Sequence, residues 1–88
     1  MDIKDLRYFV AVYEANNFMR ASLALFTVQS NVSAKIRRLE DELGTALFVR
    51  GRRGVRPTKK GDLLYHYAKH VLVKMDEAKE KITKRDAA

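Results

Sequence analysis

The sequence predicts a mainly α-helical chain with one small β-hairpin: three helices, the hairpin, then a long final helix. Three observations carry this. Apolar residues recur at helical spacing in four separate stretches. The helical period is lost once, around residues 47–56, where a short apolar run and a Gly-flanked turn stand instead. The only Pro is Pro57, at the end of that interruption, where it stops a strand and precedes a helix start.

The first helix starts at Asp2, a capping residue, with Asp5 beside the positive end of the helix dipole. Leu6, Phe9, Val10 and Tyr13 repeat at i, i+3, i+4, i+7 and mark its inner face. Asn16-Asn17 breaks the pattern, and Asn17 caps a short second helix over 18–25 whose inward residues are Phe18, Ala21, Ala24 and Leu25. After a turn at Phe26-Thr27-Val28, a third helix covers 29–43 with Val32, Ile36, Leu39 and Leu43 as its buried stripe, and Gly44 suits the left-handed position that ends a helix. Leu47-Phe48-Val49 and Val55-Arg56 form the hairpin around Gly51-Arg52-Arg53-Gly54. Thr58 caps a helix over 59–85, in which Leu64, Tyr67, Val71, Met75, Ala78 and Ile82 follow at spacings of 3 and 4. A helix of that length spans about 40 Å. Its second half has nothing in the chain to pack against, so the stripe is expected to meet another copy or another domain.

Composition narrows the function. The chain has 88 residues, so it holds one small domain. It has no Cys, which removes disulfides, thiolate metal sites and thiol nucleophiles and fits a reducing cytoplasm. There is no apolar signal-type run, and no stretch approaches the ~20 apolar residues of a membrane span. The carboxylates are scattered, no Gly-rich loop cradles a phosphate and no nucleophile–base spacing is present, so neither an enzyme nor a cofactor is expected. His66 and His70 share a helix face with Asp62, but this spacing is common on exposed helices and no metal is expected.

The net charge of +7 is concentrated. Residues 50–60 hold Arg50, Arg52, Arg53, Arg56, Lys59 and Lys60 with no acid, an excess of six. A solvated loop is the plain alternative, but a basic hairpin directly after two helices and a turn points to a polyanion. In the third helix Lys35, Arg37 and Arg38 precede Glu40, Asp41 and Glu42, the reverse of what the helix dipole prefers. A polyanion beside the basic half is one reason to tolerate that order. The outer face of this helix carries Ser30, Ala34, Arg37 and Arg38, with Gln29 and Ser33 at its edge. Gln pairs with adenine, Ser with any base, and Ala meets a thymine methyl in the major groove. Helix, short helix, turn, polar amphipathic helix and basic hairpin together are the winged helix-turn-helix layout. The Gly51–Gly54 tetrapeptide also fits the loop of an RNA-binding KH domain, but the three-stranded sheet of that fold is missing.

A series of segments stands in order along the chain: Leu6-Arg7-Tyr8-Phe9-Val10-Ala11-Val12, Asn17-Phe18-Met19-Arg20-Ala21-Ser22, Gln29-Ser30-Asn31-Val32-Ser33, Ile36-Arg37-Arg38-Leu39-Glu40, Glu42-Leu43-Gly44, Leu47-Phe48-Val49-Arg50, Arg53-Gly54-Val55-Arg56-Pro57-Thr58 and Gly61. In these residues and their spacing the chain resembles the N-terminal region of LysR-type transcriptional regulators. The resemblance implies a DNA-binding domain over 1–58 and a linker helix over 59–88 that pairs antiparallel with that of a second subunit. It implies base readout by Gln29, Ser30, Ser33 and Ala34. Phosphate or minor-groove contact falls to Thr27, Asn31, Lys35, Arg37, Arg38, Arg50, Arg52 and Arg53, and dimerisation to Leu64, Tyr67, Val71, Met75, Ala78 and Ile82. Ala34 departs from the Arg common in relatives. Val28 stands where the family has a capping Ser or Thr, so Thr27 is expected to cap instead. Family members are often tetrameric, bind interrupted inverted repeats of double-stranded DNA, and sense a small-molecule inducer through an effector domain that lies outside this sequence. The competing class is a sequence-independent architectural DNA binder, which would place Lys and Arg throughout the reading helix rather than the nearly uncharged run from Gln29 to Ser33.

Overall fold

The computed structural model describes residues 1–84. They form α1 (Ile3–Ala15), α2 (Phe18–Ala24), α3 (Gln29–Leu43), β1 (Phe48–Gly51), β2 (Gly54–Pro57) and α4 (Lys59–Thr83). This is the mainly helical, winged order expected from the sequence. Position 85, where the sequence placed the end of the last helix, lies outside the described residues.

Local chemistry sets most boundaries. Asp2 and Asp5 form a reciprocal capping box, the Asp2 carboxylate accepting from the Asp5 amide at 2.8 Å and the Asp5 carboxylate from the Asp2 amide at 3.0 Å. Asn16 ends α1 in the left-handed region, and the Asn17 side chain accepts from the Arg20 amide at 2.9 Å to start α2. Thr58 caps α4 by accepting from the Gly61 amide at 3.0 Å, while its hydroxyl donates to the Ala46 carbonyl at 2.7 Å. Gly44 closes α3 with φ of 67°.

One core joins all elements. Phe9, Val12, Val32, Ile36 and Leu47 are its largest fully buried side chains, with Phe18, Ala21, Leu39, Phe48, Val55, Ala68 and Leu72 around them. The hairpin is antiparallel, pairing Phe48 with Pro57, Val49 with Arg56, Arg50 with Val55 and Gly51 with Gly54. The Val55 amide donates to the Asn16 carbonyl at the end of α1, and the Thr58 amide donates to the Leu47 carbonyl across the base of the hairpin.

Three expectations are corrected. Ala24 is exposed; the core position belongs to Ser22, whose hydroxyl is satisfied by the Met19 carbonyl at 2.6 Å. The inner row of α2 is thus 18, 21, 22 and 25, the usual i, i+3, i+4, i+7 set with a polar member. Leu43 is exposed, at the edge of an open groove that it lines with Leu63, Leu64 and Tyr67 of α4. Thr27 does not cap α3: Val28 occupies the N-cap position, no side chain caps the helix, and the Thr27 hydroxyl oxygen accepts from Asn31 instead.

α4 carries two apolar stripes. Gly61, Ala68 and Leu72 are buried, with Leu64 and Tyr65 partly buried beside them. Tyr67, Val71, Met75, Ala78 and Ile82 lie on an adjoining, open face, and no described residue beyond Leu72 is buried. The core therefore continues past Thr58 to Leu72. Gly61 is where α4 crosses closest: a Cβ there would fall on the Leu47 carbonyl oxygen. Gly61→Ala is expected to cost about 1–3 kcal/mol by overpacking. In a chain of this size that lowers the melting temperature by roughly 4–8 °C per kcal/mol. An unchanged melting temperature would contradict this close seating.

Candidate nucleic-acid interface

The exposed face of α3 is built by burying the other one. Val32, Ile36 and Leu39 point into the core, which turns Gln29, Ser30, Ala34, Arg37 and Arg38 to solvent and leaves Ser33 half-buried at the margin. Gln29 to Ala34 present amide, hydroxyl and methyl groups without charge, and the guanidinium groups follow one turn later.

Side chains lock the orientation of this helix. Asn31 donates to the Tyr8 hydroxyl at 3.3 Å and to Thr27 at 2.9 Å. Lys35 reaches back to α1, pairing with Asp5 at 3.2 Å and lying 5.3 Å from the centre of the Tyr8 ring. The Asp5 carboxyl is held below its usual range, first by the Asp2 amide and then by Lys35. Of the eight residues assigned to backbone contact, Asn31, Lys35 and Thr27 are thus engaged inside the fold, while Arg37, Arg38, Arg50, Arg52 and Arg53 are exposed.

The reversed charge order of α3 has causes within the chain. The Glu40 carboxylate accepts from the Leu47 amide at 2.7 Å and the Phe48 amide at 3.2 Å, fastening the end of α3 to the start of the wing. Glu42 accepts from the N-terminal ammonium at 2.6 Å. A polyanion is therefore not needed to explain these two acids. Neither contact has a signal in the sequence beyond the unfavourable placement of the acids themselves.

The wing comes close to the start of α3. Arg50 lies on the same side of the hairpin as Phe48 and Val55, its guanidinium 4.8 Å from the centre of the Phe18 ring. Gln29 and Arg50 line one open hollow of about 310 Å³, together with Asn17, Phe18, Met19, Gly51, Gly54 and Val55. Arg52 and Arg53 form the exposed tip. Gly54 has φ of 108°, and a Cβ there would meet the Asn16 carbonyl oxygen at 2.8 Å, so this turn needs glycine. Phe18 as a platform for Arg50 was missed from sequence, where it reads only as core. Also missed was the apolar margin of Met19, Leu23, Phe26 and Val28 beside the start of α3; Phe26 is 97% exposed and has φ of 55°.

The remaining assigned residues fall on α4. Leu64 packs partly on the core and, with Leu43, Thr45, Leu47, Lys60, Leu63 and Tyr67, lines a groove of about 540 Å³. His66 and His70 stand with ring centres 4.7 Å apart, while Asp62 is engaged by Tyr13. Among the described residues no three His, Cys, Asp or Glu side chains gather to hold a metal, and no helix is long and apolar enough to cross a membrane.

The profile of the bacterial regulatory helix-turn-helix proteins of the lysR family matches residues 3–62. The chain belongs to the lysR family. Among its relatives are the transcriptional regulator BudR of Klebsiella aerogenes, 46% identical over 81 residues covering 92% of this chain and 57% of that protein, and BenM of Acinetobacter baylyi, 41% identical over 88 residues covering 100% of this chain and 29% of BenM. This lysR-family chain thus spans little more than half of the one and under a third of the other. A crystal structure of the BenM DNA-binding domain with catB site 1 DNA superposes with a TM-score of 0.93 at 36% identity, covering 100% of this chain and 98% of that one. The DNA complex of the CbnR DNA-binding domain gives 0.87 at 30% identity, covering 92% and 93%.

Proposed function

We propose that this chain is the DNA-binding part of a lysR-type transcriptional regulator, not an enzyme, and that it binds double-stranded DNA sequence-specifically as a homodimer. The observation that carries this is the joint placement of an uncharged, exposed helix start and a basic wing around one hollow, in a fold shared with domains crystallised on DNA. In this reading α3 enters the major groove, with Gln29, Ser30, Ser33 and Ala34 toward base edges. Arg37 and Arg38 flank them on the phosphates. Arg50, held by Phe18, and Arg52 and Arg53 at the tip reach the neighbouring phosphates or the minor groove. α4 does two jobs: its first turns complete the domain, and its open face pairs with a second copy through Tyr67, Val71, Met75, Ala78 and Ile82, with Leu64 at the edge.

Two-fold pairing favours an interrupted inverted repeat with half-sites on one face of the duplex, about one helical turn or a multiple apart. An inducer would act through an effector domain outside this sequence, and the regulator would work in the bacterial cytoplasm.

Salt titration tests the clamp. Each phosphate contact releases counterions and adds about 0.9 to the slope of log K against log salt. Arg53→Ala is expected to weaken binding to cognate and random-sequence duplexes alike and to lower the slope by about 1. An unchanged slope on random-sequence DNA would contradict the wing assignment.

A further inference from the structure

α1 and α4 run antiparallel and are tied to each other by a reciprocal clasp. The Tyr13 ring of α1 stacks on the Tyr65 ring of α4, centres 3.8 Å apart and planes within 8°. Each hydroxyl then donates to a carboxylate of the opposite helix: Tyr13 to Asp62 at 2.7 Å, and Tyr65 to Glu14 at 2.6 Å. Lys69 adds a second donor to Glu14 at 3.3 Å. Farther along α4, Arg7 approaches Asp76 at 3.7 Å. From residue 62 to residue 76 these ties span about 21 Å of helix.

Below the clasp only Gly61, Ala68 and Leu72 of α4 are buried, and no described residue beyond Leu72 is. The hydrogen bonds of the clasp are directional, so they add an angular constraint to this packing. The clasp is not placed to add much stability, since its polar groups are largely open to water. In the Glu14–Tyr65 half both partners keep the charge state that the bond needs across the neutral range. The Tyr65 hydroxyl is pushed up to about 12, first by its bond to Glu14. The Glu14 carboxyl is held below its usual range, first by Tyr65 and then by Lys69.

Geometry makes the angle matter. The 25 residues of α4 span roughly 37 Å at 1.5 Å each. A tilt of only about 5° moves the far end by about 3 Å, close to the ~3.4 Å rise of one base pair. We propose that Tyr13 and Tyr65 are positioning residues that fix the direction of α4 relative to α3 and so set the half-site spacing the dimer accepts. The proposal rests on the dimeric DNA-binding reading above.

The test is Tyr13→Phe combined with Tyr65→Phe, which keeps the stacked rings and removes only the two hydroxyls. Affinity is measured for a single half-site and for inverted repeats whose spacing is changed by one base pair, a rotation of about 35° between half-sites. The wild-type chain is expected to lose about tenfold when the spacing moves from its optimum, or about 1.4 kcal/mol. The double variant is expected to lose less than about threefold while its single-half-site affinity stays within about twofold. An unchanged spacing profile would overturn the proposal. So would a parallel fall in half-site affinity and melting temperature, which marks a merely structural role. If the wild-type chain itself binds every spacing equally, the dimeric reading fails and the proposal with it, and the wild-type curve alone separates that failure from the others.

Discussion

Val71→Glu is expected to abolish the proposed dimer and to lower affinity for an inverted repeat by about 10²–10⁴, the factor that linking two binding events supplies. Val71 lies in the open stripe on α4, one turn from Tyr67 and one from Met75, and it remains 42% exposed in the single chain. Antiparallel pairing of two α4 helices through this stripe would carry a carboxylate at 71 into the apolar contact. Each carboxylate is then desolvated without a partner, which disfavours the charged pair. Val71 is not among the buried core residues, so the folded monomer and its half-site affinity are expected to survive. Sedimentation gives the stoichiometry and a titration on inverted-repeat DNA gives the loss. A variant that stays dimeric would show that the open stripe is not the contact.

Gln29→Ala costs about 1–3 kcal/mol for each base pair it reads, and roughly the sum when both half-sites of a repeat are affected. Gln29 is the first residue of α3, is exposed, and makes no contact that supports the core. Its removal therefore leaves melting unchanged to within about 0.5 kcal/mol, as surface substitutions usually do. The loss is confined to duplexes carrying the cognate base, and specificity relaxes at that position. Equal losses on cognate and scrambled duplexes would mean that Gln29 touches only the backbone, as the architectural alternative predicts.

Features set by neighbouring residues were legible in the sequence. The caps at Asp2, Asn17 and Thr58, the left-handed Gly44 and the hairpin around Arg52-Arg53 all depend on chemistry within a few positions, and all stand where the spacing puts them. The inner row of α2 failed for a local reason: Ser22 takes a core position because the Met19 carbonyl, three residues back, satisfies its hydroxyl, so polarity misdirected the reading. The other failures depended on partners farther along the chain. Lys35 reads as a surface cation until α1 brings Asp5 and Tyr8 beneath it, 30 and 27 positions away. Glu40 looks misplaced until the folded chain brings the first amides of the wing onto it.

On α4 the helical period revealed the open stripe but hid the buried one, because two of its members are Gly61 and Ala68, which carry little hydrophobic signal. The outer face of α3 was readable because burial of Val32, Ile36 and Leu39 dictates it. The support of Arg50 by Phe18, which brings the wing to Gln29, was not.

Sequence-specific reading by α3, with the wing as a general clamp, is tested most directly by selecting bound duplexes from a random DNA pool at physiological salt. An interrupted palindrome should be enriched, with half-sites about one helical turn or a multiple apart, and Gln29→Ala should blur particular positions of it. A pool that stays random after repeated rounds, while binding remains tight and salt-dependent, would contradict the account.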